Sequence, residues 1–373
     1  MSATIEKTYL GNRIEGLDIP STVDDLTPEF LTTIIADMNP GTVVTAIDYT
    51  NVSHFGEINV STGDRGKLEL TYAGPSALPT RVVAKMHRGN DFALTRMYET
   101  EVGVYRNFRN DLLLETPRAI ASVFDPETSR FCLLLEDLGE KGARFLSADQ
   151  DVSVEQVDAI LDSQAKLHAH YWESPRFAGD MRLFQSHVSG PIHEHFMKRY
   201  PGVAEKSVAE TPWKAELLAE LDRVPATLWS EAVKAQRYQA TLPQTIVHGD
   251  GHIGNTYVLP DGTGGLLDWQ LTVRGAWIHD VNYTIVTGLP PKVARDNEQD
   301  LVRRHLDRLK AYGVETPPTF EIAWRAYRMC QAWNLAAWLG TPDISYWTVN
   351  KIANQRCAEA YAELETSRVL AEI

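Results

Sequence analysis

The residues best suited to chemistry lie close together in the segment QTIVHGDGHIGNTYVLPDGTGGLLDWQ, residues 244–270. Asn255 follows Asp250 by five residues, and Asp268 follows Asp250 by eighteen. Carboxylate and amide oxygens are the ligands that suit Mg²⁺ bound to nucleotide phosphates. A carboxylate can also accept a proton from a reacting hydroxyl. The segment therefore predicts a site for Mg²⁺ bound to nucleotide phosphates.

A hairpin must bring these residues together. Two short apolar runs between Asn255 and Asp268 are separated by the turn sequence PDGTGG, which predicts two strands joined by a tight turn. Such a hairpin would return Asp268 to the side of Asn255. Two carboxylates and an amide oxygen would then meet at one place, as they do in the catalytic loop of protein kinases.

The pattern H-G-D-x-H-x-x-N, followed by an Asp-aromatic pair, resembles the aminoglycoside phosphotransferase and choline kinase superfamily. The triplet DWQ and the run LLLEDLG are most similar to its ecdysteroid-kinase-like (CHK kinase-like) members. The resemblance covers roughly residues 45–365. It implies an α+β, two-lobed protein-kinase-like fold with ATP and Mg²⁺ as cofactors. It also implies transfer of the γ-phosphoryl group to a hydroxyl of a small molecule.

The resemblance assigns roles to individual residues of the segment. Asp250 would be the catalytic base, and Asn255 and Asp268 would hold Mg²⁺. Three further residues are expected to support the loop rather than to react: His248, His252 and Asp280.

Residues 43–139 show the alternation of antiparallel strands, interrupted by one helical stretch, in the order β-β-β-α-β-β. Lys85, in the apolar strand VVAKMH, resembles the phosphate-contacting lysine of kinases. A charged group in such a strand needs a partner. Glu101 lies on the apolar face of the next helix and is the expected partner, with Glu99 as the alternative.

The nucleotide contacts are predicted less directly. The turn VSHFGEINVSTG lacks a G-x-G-x-x-G motif, and Ser53 and Gly56 within it are the candidates for covering the phosphates. The strand end LLLEDLG is expected to meet the adenine through backbone groups near Glu136 and Leu138.

Helices dominate after residue 139, although the pattern of residues 176–240 is mixed. In the helix that begins near Thr319, one face mixes aromatic and polar groups and could line an acceptor pocket or could belong to the core. That face holds Trp324, Tyr327, Gln331, Asn334 and Trp338. In LHAHYWESP, His168, His170 and Trp172 are expected to be packing residues. The predicted domains are an N-terminal extension 1–40, a nucleotide-binding lobe 41–139 and a catalytic and acceptor-binding lobe 140–373.

Composition limits the possible classes of protein. The net charge of −14 over 373 residues argues against nucleic acid as a partner, because binding to phosphates requires clustered lysine and arginine. Three widely spaced cysteines suit a reducing compartment. No apolar run reaches the roughly 20 residues that span a bilayer, and the start lacks a signal-peptide pattern. We expect a cytoplasmic protein. The acceptor and the oligomeric state stay open.

Two other functions compete with the kinase. A metal-dependent phosphoesterase would need an earlier D-x-H and a later N-H-D/E cluster, and the sequence contains neither. A kinase-fold binding protein without turnover would have lost catalytic positions, and none is lost here. A protein kinase is disfavoured because no A-P-E-like element follows Asp268.

Overall fold

The computed structural model describes residues 14–51, 63–87, 94–341 and 347–373. These residues form two compact units. The first contains the described residues up to Leu112 together with Thr116–Ala143, and the second contains Leu113–Glu115 and Arg144–Ile373. None of the described helices is long and apolar enough to cross a membrane.

The first unit is built on an antiparallel sheet of five strands in the order β1-β2-β3-β5-β4. The strands are β1 (Val44–Asn51), β2 (Gly63–Tyr72), β3 (Arg81–His87), β4 (Ala119–Asp125) and β5 (Arg130–Glu136). Helix α2 (Thr95–Gly103) lies between β3 and β4 in the chain and continues as a single π-helical turn, Val104–Phe108. This is the predicted order of elements, and most of the turn VSHFGEINVSTG lies outside the described residues.

Helix α1 (Pro28–Met38) packs against this sheet and belongs to its core. Thr27 caps the helix by accepting a hydrogen bond from the amide of Phe30. Leu31, Ile34 and Ile35 are almost completely buried in one apolar cluster with residues of β2, β3 and β4. Burying each such side chain contributes about 1.5–3 kcal/mol. The described part of residues 1–40 is therefore integral to the first unit.

The second unit is mainly helical. Its helices are α3 (Val154–His170), α4 (Gly190–Glu210), α5 (Pro212–Glu220), α6 (Pro225–Gln239), α7 (Ile278–Gly288), α8 (Pro291–Ala311), α9 (Phe320–Leu339), α10 (Trp347–Glu363) and α11 (Thr366–Ala371). Five short strands accompany them. They are β6 (Arg144–Phe145), β7 (Thr245–Val247), β8 (Thr256–Val258), β9 (Gly264–Leu266) and β10 (Val273–Gly275). The central helix, α9, packs against α6, α7, α10 and α11.

The region with the mixed sequence pattern, residues 176–240, contains three of these helices and one extended segment. The segment lies beside β10, where the amide of Arg274 donates to the carbonyl of Gln185 at 2.9 Å and the amide of His187 donates to the carbonyl of Arg274 at 3.2 Å. Strand β10 pairs in turn with β7, which leads directly into His248. Residues far apart in sequence thus form the surroundings of one loop.

Candidate active site

The predicted hairpin is present and has the expected register. Strands β8 and β9 are antiparallel, with Thr256 opposite Leu266. One step further, the amide of Leu267 donates to the carbonyl of Asn255 at 3.0 Å. Asn255 and the residue after Leu267, which is Asp268, therefore lie at the same end of the hairpin.

Asn255 holds Asp250 by two hydrogen bonds. Its Nδ2 donates to the backbone carbonyl of Asp250 at 2.9 Å and to Oδ2 of the same residue at 3.1 Å. Both partners are acceptors, so the amide can have only one orientation, and Oδ1 of Asn255 is left to accept or to bind a cation. The Asp250 side chain keeps 32% of its surface exposed. It can therefore meet a substrate hydroxyl.

His248 ties this loop to the segment that carries Asp268. It is fully buried. Its Nδ1 accepts from the amide of Asp250 at 3.3 Å, which leaves the proton on Nε2, and Nε2 donates to the carbonyl of Leu267 at 2.9 Å. Asp268 follows with a left-handed backbone, φ +68°. The expected supporting role of His248 therefore has a geometric basis in bonds to both parts of the site.

Gly249, between His248 and Asp250, is required by the backbone of the loop. Its φ is +79°, a region that favours glycine. A Cβ at this position would lie 2.1 Å from the carbonyl oxygen of Leu271. The loop thus runs too close to the segment after Asp268 for any side chain.

Asp280, near the start of α7, anchors the beginning of the loop. Its Oδ2 accepts from the amide of His248 at 2.6 Å and from Nε2 of His168 at 3.1 Å, and its Oδ1 accepts from the amide of Gly249 at 3.0 Å. Burial alone would raise the pKa of this carboxyl. The hydrogen bond from His168 and the neighbouring imidazoles outweigh burial and hold the pKa well below its usual value. Asp280 is therefore a buried carboxylate anion.

Two threonines on the same face of α7 continue this anchoring, and the sequence analysis missed them. Thr284 donates to the carbonyl of Gly251 at 2.6 Å, and Thr287 accepts from the amide of Ile253 at 2.9 Å. With Asp280 they follow i, i+4, i+7 spacing along a helix that is otherwise buried and largely apolar. Polar residues at helical spacing in the apolar run IHDVNYTIVTG were the signal that could have revealed them.

His168 does more than pack. Its Nε2 donates to Asp280, and its Nδ1 lies at hydrogen-bonding distance, 3.2 Å, from Nε2 of His305. The ring of His305 stacks on Trp277 at an interplanar angle of 6°. A buried chain of two imidazoles thus supports the carboxylate that holds the loop, which the expectation of a packing residue did not include.

His252 caps the short turn of the loop. Its Nδ1 accepts from the amide of Gly254 at 3.1 Å, and its Nε2 lies 3.9 Å from Oδ2 of Asp250. The ring lies edge-on to Tyr283 and Trp338 at centroid distances of 5.8 and 5.4 Å. Burial lowers the pKa of His252, although Asp250 opposes the shift, so the imidazole is neutral.

In the first unit, Lys85 on β3 and Glu101 on α2 form a buried ion pair. Lys85 Nζ lies 2.7 Å from Glu101 Oε1, and the two side chains are only 4% and 1% exposed. The alternative carboxylate, Glu99, pairs with Arg96 at 2.6 Å instead. The helical periodicity thus selected the correct partner for the lysine.

The other predicted nucleotide contacts lie partly outside the described residues, which include neither Ser53 nor Gly56. The side chain of Glu136 accepts from the amide of Arg118 and from Lys141 Nζ, each at 2.8 Å. The carbonyl of Leu138 accepts from the amide of Ala143 at 3.1 Å. These groups already bond within the first unit.

The aromatic and polar face of α9 is mostly internal. Tyr327 and Gln331 are fully buried, and Tyr327 donates to Glu298 Oε2 at 3.0 Å. Burial raises the pKa of Glu298 to about 7. Trp324 stacks on Tyr327, whereas Trp338 reaches the ring of His252. Among the predicted acceptor residues, Trp338 is thus the one that contacts the loop.

A family model described as "Phosphotransferase enzyme family" matches residues 74–330. No curated protein matches the chain in sequence at a significant level.

Solved structures with a similar fold include choline kinase from Cryptosporidium parvum Iowa II, at 11% identity and a TM-score of 0.53, covering 92% of this chain and 96% of that one. Spectinomycin phosphotransferase in complex with ADP and spectinomycin matches at 10% identity and a TM-score of 0.52, covering 92% and 99%. Ethanolamine kinase from Plasmodium vivax matches at 10% identity and a TM-score of 0.50, covering 88% and 83%. At these identities the likeness concerns the fold, and it confirms the predicted α+β protein-kinase-like class.

The family match spans more than half of the chain and includes the loop and hairpin that hold Asp250, Asn255 and Asp268. It identifies the broad family and does not select the ecdysteroid-kinase-like subgroup. The chain therefore belongs to the phosphotransferase enzyme family, which confirms the prediction of a small-molecule kinase.

Proposed function

We propose that the protein transfers the γ-phosphoryl group of ATP to a hydroxyl of a small molecule, with Asp250 as the catalytic base. The observation that carries this proposal is the fixed position of Asp250, held by Asn255 and backed by His248. A partly exposed carboxylate held in this way can orient the acceptor hydroxyl and accept its proton. Choline, ethanolamine and spectinomycin, named in the structures of similar fold, define the range of acceptors to test first.

Asn255 and Asp268 are the residues proposed to hold Mg²⁺. The free Oδ1 of Asn255 and the carboxylate of Asp268 are hard oxygen donors at one end of the hairpin, which fits this ion. Among the described residues, no group of three or more His, Cys, Asp and Glu side chains could hold a metal ion. Two protein ligands suit Mg²⁺ that completes its coordination with phosphate and water. When bound, the ion neutralises charge on the transferring phosphoryl group.

Lys85, kept in place by Glu101, is proposed to contact the α- and β-phosphates. A buried lysine held at 2.7 Å from a carboxylate has little freedom, so its ammonium is already positioned for an anionic ligand. Ser53 and Gly56 stay the proposed phosphate-covering residues, and the backbone near Glu136 and Leu138 stays the proposed adenine contact. The nucleotide is proposed to be ATP.

The subgroup, the location in the cell and the partners are also proposals. We place the chain near the ecdysteroid-kinase-like members, in the cytoplasm, with a small-molecule acceptor and no nucleic-acid partner. The negative charge supports the last point, because it disfavours a polyanionic partner.

The decisive experiment measures acceptor-dependent ADP formation from Mg²⁺-ATP. The panel holds choline, ethanolamine, amino sugars, aminoglycosides, uncharged alcohols and hydroxyacyl thioesters. Asp250→Asn keeps an oxygen for Asn255 but loses the base, so turnover should fall by about 10²–10⁴-fold while nucleotide affinity is retained. Turnover at the wild-type rate in this variant would remove Asp250 from its role.

The metal assignment has a separate test. Asp268→Ala should weaken Mg²⁺-ATP binding, measured by titration calorimetry, with little effect on binding of metal-free ATP. Equal affinity for Mg²⁺-ATP in wild type and variant would refute the assignment. ATP binding without turnover on any acceptor would favour the catalytically silent binding protein, and hydrolysis of phosphate esters without ATP would favour the phosphoesterase.

A further inference from the structure

A concavity in the second unit, which we call the aromatic pocket, is lined by side chains from α4, α6 and α9. Phe196, Trp229 and Trp333 form its aromatic wall. Its empty space, open solvent included, is about 420 Å³.

The aromatic pocket touches the catalytic loop directly. Gly249 and Leu271 belong to its lining. Gly249 immediately precedes Asp250, and the close approach of its backbone to the carbonyl of Leu271 forms a continuous surface there. The pairing of β7 with β10, and of β10 with the segment at His187, brings this surface beside α4. A molecule in the pocket would therefore lie against the residue next to the proposed base.

The aromatic wall is apolar and packs against the helical core. Phe196, Trp229 and Trp333 are partly buried, with one side packed on the helical core. Trp333 lies 5.9 Å from Trp229 and 6.3 Å from Phe196 between ring centroids, the latter at an edge-on angle of 84°. Tyr200 stacks behind Trp229 at 4.7 Å. Aromatic rings held in this way offer large apolar surfaces at little entropic cost.

Histidine is the titratable residue type found in the described lining of the aromatic pocket, at His187 and His193. Among the described residues, its lining contains no aspartate, glutamate, lysine or arginine. Burial lowers the pKa of His187 in the lining well below its usual value, so this imidazole is neutral. Aromatic faces return only about 0.5–2 kcal/mol of the cost of removing a cation from water. The lining residues themselves therefore offer a cationic ligand no counter-charge.

We infer that the aromatic pocket is the acceptor site and that its acceptor is an uncharged, largely apolar alcohol. The inference rests on the proposed function, since it names the substrate class of the same reaction. It also replaces the predicted acceptor face of α9. Trp333 precedes Trp338 by five residues, which turns it about 140° around the helix from that face.

The first test compares choline with dimethylbutanol, its isostere in which carbon replaces the charged nitrogen. The two alcohols have nearly the same shape and differ by one charge. We expect kcat/KM for dimethylbutanol to exceed that for choline by at least about tenfold. A preference for choline would overturn the assignment of an uncharged acceptor while leaving the kinase proposal intact.

The second test separates the two faces of α9. Trp333→Ala should raise KM for dimethylbutanol by at least about tenfold with kcat and KM for ATP little changed, and Trp333→Phe should restore most of the affinity. Trp324→Ala removes the same side chain from the same helix but from the other predicted site. A loss with Trp324→Ala and none with Trp333→Ala would overturn the aromatic pocket as the acceptor site.

The third test does not depend on turnover. Naphthylethanol, a larger uncharged alcohol, should bind Asp250→Asn in equilibrium dialysis, and the added Trp333→Ala substitution should weaken binding at least about tenfold. Binding that depends on Trp333 without ADP formation from any alcohol would support the pocket and refute the kinase. Choline-dependent ADP formation without naphthylethanol binding would refute the pocket and support the kinase. Neither binding nor turnover would refute both.

Discussion

The loop from His248 to Asn255 and the Lys85–Glu101 pair are both proposed to act on the same reaction, yet they are held in different ways. The loop is fastened to α7 at its start, middle and end by Asp280, Thr284 and Thr287. The pair is a buried charge contact between a strand and a helix. The loop is thus anchored by neutral and charged hydrogen bonds spread along one helix, whereas the pair places two opposite charges in direct contact in the interior.

This difference predicts how each region responds to damage. Removing one hydrogen bond from the loop leaves the others in place, so the loss should be graded. Removing one partner of the buried pair takes the counter-charge away from a buried charge, so the loss should be large. The following substitutions test that contrast, from the largest expected effect to the smallest.

Glu101→Ala should have the largest effect. It leaves Lys85 buried without its carboxylate, and breaking such a pair costs about 3–5 kcal/mol of folding free energy. We expect a lower thermal midpoint and weaker ATP binding by calorimetry. Glu99→Ala is the matched control, since Glu99 sits on the same helix and pairs with the more exposed Arg96. Equal losses in the two variants would contradict the special role of Glu101.

Gly249→Ala should damage the loop more than any loss of one hydrogen bond. The added methyl would meet the carbonyl of Leu271 at 2.1 Å in a backbone region that alanine avoids, so the loop must move. A displacement of about 1 Å near the base can lower turnover about 10²-fold. Gly251→Ala is the control, because its nearest neighbour is the amide end of Gln164 at 3.2 Å. Similar activity of both variants would show that the loop tolerates displacement.

Asp280→Asn should change the pH dependence of stability. The folded-state pKa of this carboxyl is held below its unfolded value of about 3.9, so its ionised form stabilises the protein above that pH and the contribution is lost as the pH falls. We expect the variant to be less stable than wild type by about 2–3 kcal/mol at neutral pH. The difference in unfolding free energy between wild type and variant, measured by thermal unfolding, should decrease below about pH 4. A difference that does not change with pH would mean that the variant loses stability through packing instead.

Thr284→Val and Thr287→Val should each have a small effect. Each keeps the shape of the side chain but leaves one polar group of the loop without its partner, at a cost of about 1–2 kcal/mol. Turnover and unfolding free energy should fall together and only modestly. Thr33→Val is the control, because Thr33 is an exposed helical threonine that bonds only within α1 in the described structure. Complete inactivation by either loop variant would contradict distributed anchoring.

Much of the site could be predicted because its parts are close in sequence or follow a regular period. The spacing of Asn255 and Asp268 around a Gly-rich turn predicted the hairpin and its register. The helical period placed Glu101, rather than Glu99, opposite Lys85. Both predictions depend on the regular periods of strands and helices, which can be read from the sequence.

Other features required contacts between distant segments. Which face of α9 lies near the loop depends on where α4 and α6 pack. Both helices fall within residues 176–240, whose sequence has no clear pattern. His168 was expected to pack, but its bond to Asp280 depends on α3 and α7 meeting. The same type of side chain can belong to the core or to a functional site, depending on which distant segments pack around it.

Residue types and spacing were therefore sufficient for the loop motif, the hairpin and the lysine with its carboxylate. The tertiary structure alone decided what holds the loop in place and which tryptophans border an open pocket. The physical reason is that hydrogen-bond partners and burial at long range arise only when separate helices pack together, and no local period of the sequence encodes that packing.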